Sequence, residues 1–141
     1  METAQSELVE VALRHSTAEA NFDMAGTLGT LEGEPVYELF PVALKMVGMD
    51  RARRYYEHYF AEVAPRIVSF RLIGRWLNEQ GLNEEYSVVH KADGEEPRAY
   101  RILGILTFGE HLLSGERIYA DEHLLRIMFA PVWDELEPTA P

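Results

Sequence analysis

The chain has 141 residues, enough for one domain that buries roughly two-thirds of its unfolded surface without a disulfide or a metal. Asp and Glu number 24 against 13 Lys and Arg, and the formal net charge of −11 argues against nucleic acid and anionic membranes as partners. Cysteine is absent, which removes disulfides, thiolate nucleophiles and cysteine-ligated metal, and is compatible with the expected cytoplasmic location.

Residues 1–10 are acidic and lack a basic start followed by an apolar run, so no secretory signal is expected. No run of about 18 apolar residues occurs; the stretch 40–49 is short and is broken by Pro41, Lys45 and Gly48, so no membrane span is expected. Ser6 is placed to cap a first helix, with Leu8, Val11, Ala12 and His15 on one stripe as far as about Phe22. Asp23 can cap a short second helix carrying Met24, Leu28 and Leu31, weakened by Gly29 and Gly33 before Pro35 forces an extended exit. A brief strand over 36–40 follows.

Asp50 can cap a third helix, where Ala52, Tyr55, Tyr56, Tyr59, Phe60 and Val63 recur at helical spacing until Pro65. Arg51, Arg53 and Arg54 at its start read as a solvated face. From Arg66 the period becomes two, with Val68, Phe70, Leu72 and Trp76 alternating with Ser69, Arg71 and Arg75. Four strands are predicted, at 66–77, 82–91, 98–108 and 114–120, with turn residues between them. Links this short favour antiparallel neighbours. Leu124, Leu125, Met128 and Phe129 then predict a closing helix, and the acidic, Pro-containing tail 130–141 is expected to fray at its end. Helices followed by a meander make one α+β domain over 1–141, with a helical layer on one face of a curved antiparallel sheet.

Chemistry is sharpest in the segment 113–126, where alternation sets Arg117, Tyr119 and Asp121 on one strand face just before the last helix. The histidines are dispersed, so no metal site is expected; His15 and His90 are the two placed to approach a cavity. Gly26, Gly29 and Gly33 do not follow a strand as a phosphate loop requires, and no organic cofactor is implied. Tyr37, Tyr56, Trp76 and Phe108 are candidates either for pocket wall or for core.

Tyr37 in an early strand, Arg54-Tyr-Tyr56 in a helix, Glu85-Tyr86 in a middle strand and Gly115-Glu-Arg-Ile-Tyr-Ala-Asp121 near the end resemble the nuclear-transport-factor-like superfamily. The resemblance is closest to its SnoaL-like polyketide cyclase group, and spans roughly 6–129. It implies a cone of bent sheet around helices, an apolar pocket and a homodimer. Its members range over cyclases, ketosteroid isomerases, dehydratases, epoxide hydrolases and silent binding domains, so the site has to decide.

By that resemblance Asp121, closing the Tyr-x-Asp strand, stands where an acid or base acts; the alternative is a plain helix cap. Glu85 is a second, looser candidate, which a register error of one residue would turn to solvent. The chain departs from the epoxide-hydrolase pattern, with Asn83 and Glu85 where an Arg and an Asp are expected. The expectation is thus a cofactor-independent isomerase, cyclase or lyase working by acid/base chemistry on a small apolar carbonyl compound, with Asp121 as proton carrier, Tyr119 as oxygen stabiliser, and Glu85 and Arg117 tuning. The rival expectation is a non-catalytic member of the same fold that binds a small molecule or a protein.

Overall fold

A computed structural model describes residues 2–140, with side chains from Gln5 onward. Helix α1 covers Glu2–Ala20 and ends where Phe22 takes a positive φ of 57° and the Asp23 amide donates back to the Ala18 carbonyl at 2.8 Å. Asp23 caps the five-residue α2, Met24–Leu28, by accepting from the Gly26 amide at 2.9 Å. Strand β1, Leu31–Phe40, begins well before the brief strand read at 36–40. Leu31, read as helical, is instead the first strand residue and is buried against the core.

Strand β2, Leu44–Val47, lies in a stretch that hydropathy alone leaves unassigned, and pairs antiparallel with β1. Helix α3 covers Met49–His58. Gly48 precedes it at φ 109°, and Glu34 rather than Asp50 accepts from its first amide, at 3.1 Å. A π-helical turn, Tyr59–Val63, and a 3-10 turn, Ala64–Arg66, lead into the sheet.

The four antiparallel strands follow in chain order as the turn spacing predicts: β3 Ile67–Asn78, β4 Gly81–His90, β5 Arg98–Phe108 and β6 Leu113–Tyr119. The full sheet order is β3-β4-β5-β6-β1-β2-β7, where β7 is the two-residue Glu137–Pro138. Short links do not foretell that β6 pairs with β1 in parallel. Gly115 makes this pairing possible: it stands at φ +146°, and a Cβ there would lie 1.9 Å from the Val36 carbonyl oxygen.

Helix α4, Glu122–Met128, and a 3-10 segment, Ala130–Glu135, close the fold. The tail is anchored rather than frayed. Val132 is fully buried, Arg126 stacks over the Trp133 ring at 4.7 Å, and Glu135 takes hydrogen bonds from Arg54 at 2.7 and 2.8 Å and from Arg51 at 3.3 Å. Two of the three arginines read as a solvated face, Arg51 and Arg54, therefore tie the C-terminal segment to α3, while Arg53 stays with Asp50 on the exposed side.

The core lies between α3, the inner end of β1 and the C-terminal segment, where Tyr55 stacks on Phe129 at 4.2 Å and Tyr37 and Tyr56 join hydroxyls at 2.5 Å. Burial of four large rings supplies apolar contact, and the paired hydroxyls satisfy each other. Among the described residues no helix is long and apolar enough to cross a membrane.

Candidate functional site

Strand alternation and helix periodicity converge on one cavity of about 310 Å³ between α1 and the concave face of β4, β5 and β6. From α1 come His15, Ser16 and Glu19, on one face because positions three and four apart share it. From β4 come Glu84, Tyr86 and Val88, and from β6 Glu116 and Ile118, each set spaced by two. Tyr55, Tyr59, Leu124 and Met128 close the inner end. Phe22 and Phe70 also line it yet are 49% and 60% exposed, which sets them at the mouth.

Three carboxyl groups enter this mainly apolar space, and their surroundings differ. Glu84 is buried and fully engaged: Arg75 of β3 donates to its Oε2 from Nε at 2.9 Å and from Nη2 at 2.5 Å, and the Ser16 hydroxyl donates to Oε1 at 2.8 Å. Glu19 has its Oε2 3.3 Å from His15 Nε2. Glu116 has no hydrogen-bond or ion-pair partner among the described residues. It is half-buried and lines the cavity. Desolvation first, then the Glu19 and Glu84 carboxylates, hold the Glu116 carboxyl well above the ordinary carboxylate range, which favours its protonated form.

Register explains why Glu116 has room. Gly104 of β5 stands opposite Glu84 on one side and Ile118 on the other, and Leu106, two residues along, stands opposite Glu116. A Cβ at position 104 would lie 3.0 Å from Glu116 Oε1, so the missing side chain is the space that the carboxyl occupies.

Behind Glu19 runs a buried polar chain. The Thr30 hydroxyl donates its one hydrogen to the Thr27 carbonyl at 2.7 Å, so its oxygen accepts from His15 Nδ1, also at 2.7 Å. That assigns the proton of the neutral imidazole to Nδ1 and leaves the Nε2 lone pair toward the Tyr56 hydroxyl at 3.2 Å, which the Tyr37 hydroxyl backs at 2.5 Å. The phenols of Tyr37, Tyr55 and Tyr56 are raised well above their ordinary value, first by burial, and stay neutral hydrogen-bonding groups.

The residues singled out by sequence lie mostly elsewhere. Asp121 is on the surface as the N-cap of α4, accepting from the His123 amide at 2.8 Å and facing Arg98 at 3.4 Å. Tyr119 is 40% exposed and stacks on Phe40 at 5.1 Å. Glu85 pairs with Arg101 at 2.7 Å, and Arg117 reaches Gln80 at 3.4 Å. Trp76 is exposed on β3, and Phe108 packs against the core at the end of β5. None of these six lines the cavity. Tyr37 and Tyr56 belong to the buried chain and reach the cavity only through His15.

Glu84 and Glu116 go unnamed because alternation is read on the opposite face of two strands, and Glu19 because the α1 stripe is followed only as far as His15, one turn before it. The usable signal was present: Leu82, Tyr86 and Val88 share parity with Glu84, and Ile118 with Glu116, whereas Arg101, Arg117 and Tyr119 sit in the opposite, half-wet set.

No family model matches the sequence, and no curated protein matches it. Solved structures do. A Bacillus subtilis protein provisionally named an isomerase superposes with a TM-score of 0.67 at 12% identity, covering 90% of this chain and 95% of that one. An epoxide hydrolase from M. tuberculosis, described as LEH-like, gives 0.65 at 17% identity, covering 90% and 96%. A protein from Catenulispora acidiphila with a ketosteroid isomerase-like fold, solved in complex with trimethylamine, gives 0.61 at 11% identity, covering 78% and 84%. At such identities the likeness speaks for the fold alone. The chain has the nuclear-transport-factor-like, ketosteroid-isomerase-like α+β cone fold, which is the fold that the SnoaL-like resemblance implies.

Proposed function

We propose that the cavity is the working site of a cofactor-independent enzyme of the isomerase, cyclase or lyase type, acting by general acid/base chemistry on a small, largely apolar carbonyl compound. The observation that carries this reading is the placement of two carboxyls in one mainly apolar cavity, Glu116 over Gly104 without a partner among the described residues and with its pKa raised by burial, and Glu19 next to an imidazole. Two like groups whose surroundings separate their protonation states supply an acid and a base together. In this reading the roles pass from Asp121 and Tyr119 to Glu116 and Glu19.

Glu19 takes the proton from the carbon next to the carbonyl, and its new O–H then donates to the His15 Nε2 lone pair, 3.3 Å away. Glu116 gives its proton to the carbonyl oxygen as negative charge develops there. For an isomerisation, Glu19 returns the proton at a neighbouring carbon and the enol proton goes back to Glu116. A lyase would instead expel a leaving group. The LEH-like likeness supports a lower-ranked epoxide opening, although the one guanidinium near the cavity, Arg75 of β3, reaches it only through its bonds to Glu84.

The test is a panel of small enones, β-hydroxyketones and epoxides assayed with the wild type, Glu116→Gln and Asp121→Asn. Turnover lost only in Glu116→Gln supports the reading. Turnover lost only in Asp121→Asn refutes it, and tight ligand binding with no turnover of any compound turns the assignment to a binding protein.

A homodimer is part of this proposal. The edge strand β3 leaves Val68, Phe70, Leu72, Ile73, Trp76 and Leu77 exposed beside unpaired backbone, a surface that a second copy would cover. Light scattering should give twice the chain mass for the wild type and the single mass for Trp76→Glu.

A further inference from the structure

The electrostatics of the cavity bear on its ligand as well as on its chemistry. Glu19, Glu84 and Glu116 bring three carboxyls to the cavity, against one guanidinium, Arg75, already bound to Glu84. Such a space disfavours an anion. It is also more acidic than a neutral carbonyl compound requires, since one protonated carboxyl suffices to polarise a carbonyl. Glu116 is the telling group: it is half-buried, lines the cavity over Gly104, and is without a hydrogen bond or counter-charge among the described residues. A carboxyl in a mainly apolar cavity gains most from a ligand that brings it a hydrogen-bond donor or a counter-charge. The rest of the wall is aromatic and aliphatic, with Tyr59, Tyr86, Phe70 and Phe22 offering the ring surface that attracts an alkylated cation.

We propose that the ligand of this cavity carries a positive charge, a small alkyl- or cycloalkylammonium group held by Glu116 and Glu19 with its hydrocarbon against the aromatic wall. This rests on the cavity being the working site, and not on any turnover there. A neutral amine source and a carbonyl-bearing amine share this chemistry, and the carbonyl would still meet the acid and base already described.

A linkage follows. The groups facing Glu116 are Glu19 and His15 from α1, Glu84 and Tyr86 from β4, Arg75 from β3 through Glu84, and Tyr55 and Tyr59 from α3 and the turn after it. The concave face of β5 and α4 contribute only Gly104 and apolar side chains. With the phenols neutral, a cation entering beside Glu116 favours its ionised form. Binding should therefore release a proton, and affinity should rise with pH until Glu116 is ionised in the empty protein.

The experiment is calorimetric titration of the full chain with cyclohexylammonium, cyclohexanol and cyclohexanecarboxylate, repeated in two buffers of different ionisation enthalpy and at several pH values. The expected result is an amine at least tenfold tighter than the alcohol, a carboxylate weaker than both, and a buffer-dependent heat that reports proton release. Glu116→Gln should bring the amine to the level of the alcohol and abolish the proton release, and Glu19→Gln should lower the preference while keeping the release. Absence of amine binding, an alcohol that binds as well as the amine, or a preference untouched by Glu116→Gln would overturn the proposal. Glu116-dependent turnover of neutral carbonyl compounds without amine preference would sink this inference and leave the acid/base reading standing. Amine preference with no turnover would do the reverse.

Discussion

Acidic residues stand on both faces of β4 and at both the inner face and the outer end of β6, and the two sides treat them in opposite ways. On the outer face, Glu85 meets the Arg101 guanidinium near bulk solvent, and Asp121, just past β6, caps α4 beside Arg98. On the inner face, Glu84, next to Glu85 in sequence, is sealed against Arg75 and Ser16, and Glu116 faces the cavity with its pKa raised by burial. Residue type is the same throughout. What differs is the dielectric and the partner, and these decide whether a carboxyl is a solvated charge, a buried ion pair or a proton donor.

The sharpest way to break this comparison is activity. Glu116→Gln should lower turnover by roughly 10²–10⁴-fold, the usual share of a general acid, with the fold intact. The outer-face change Asp121→Asn should stay within about twofold, since Asn serves an N-cap as well as Asp does. Steady-state rates of the two variants on any turned-over carbonyl compound check this.

Next comes pH-dependent stability. The folded state holds the Glu116 proton above the ordinary value of 4.5, so between 4.5 and the raised value the folded chain binds more protons than the unfolded one. Stability from this group is then fully present below 4.5 and declines as pH rises through the raised value. Wild type and Glu116→Gln should melt alike at acid pH, and the variant should melt higher by on the order of 5 °C near pH 8. Thermal melts across that range test it; a constant difference would mean the carboxyl is not buried with its proton.

How far the sequence spoke follows from the same contrast. The meander, the third helix, the Asp23 cap and the α+β class were legible because periodicity and turn residues are local signals. Leu31, the β1–β6 parallel pairing and strand β2 were not, since they depend on Gly115 letting two distant segments approach. The site failed on parity. A strand states that alternate residues share a face, but the side that is dry is set by the helix packed against it, and Tyr119 and Arg117 look as pocket-like as Glu116 until α1 is in place.

A smaller effect sharpens the inner region. Thr30→Val keeps shape but removes the acceptor for His15 Nδ1, leaving a buried donor unpaired at about 1–3 kcal/mol. Thr30→Ser should restore most of it. A denaturation midpoint that does not move with Thr30→Val would remove Thr30 from its place in fixing the imidazole.

The smallest effect belongs to the outer face. Asp121→Ala removes the cap on the His123 amide and one exposed pairing with Arg98, for which the cap accounts at about 1 kcal/mol and the ion pair adds little at such exposure. Because α4 presents Leu124 and Met128 to the cavity, the variant also asks whether loosening the first turn reaches the site. The buried Leu124, Leu125 and Met128 hold α4 from its other side, so the midpoint should drop slightly while cyclohexylammonium affinity and turnover stay put. A fall in turnover at unchanged stability would return Asp121 to the chemistry and undo the division between the two faces.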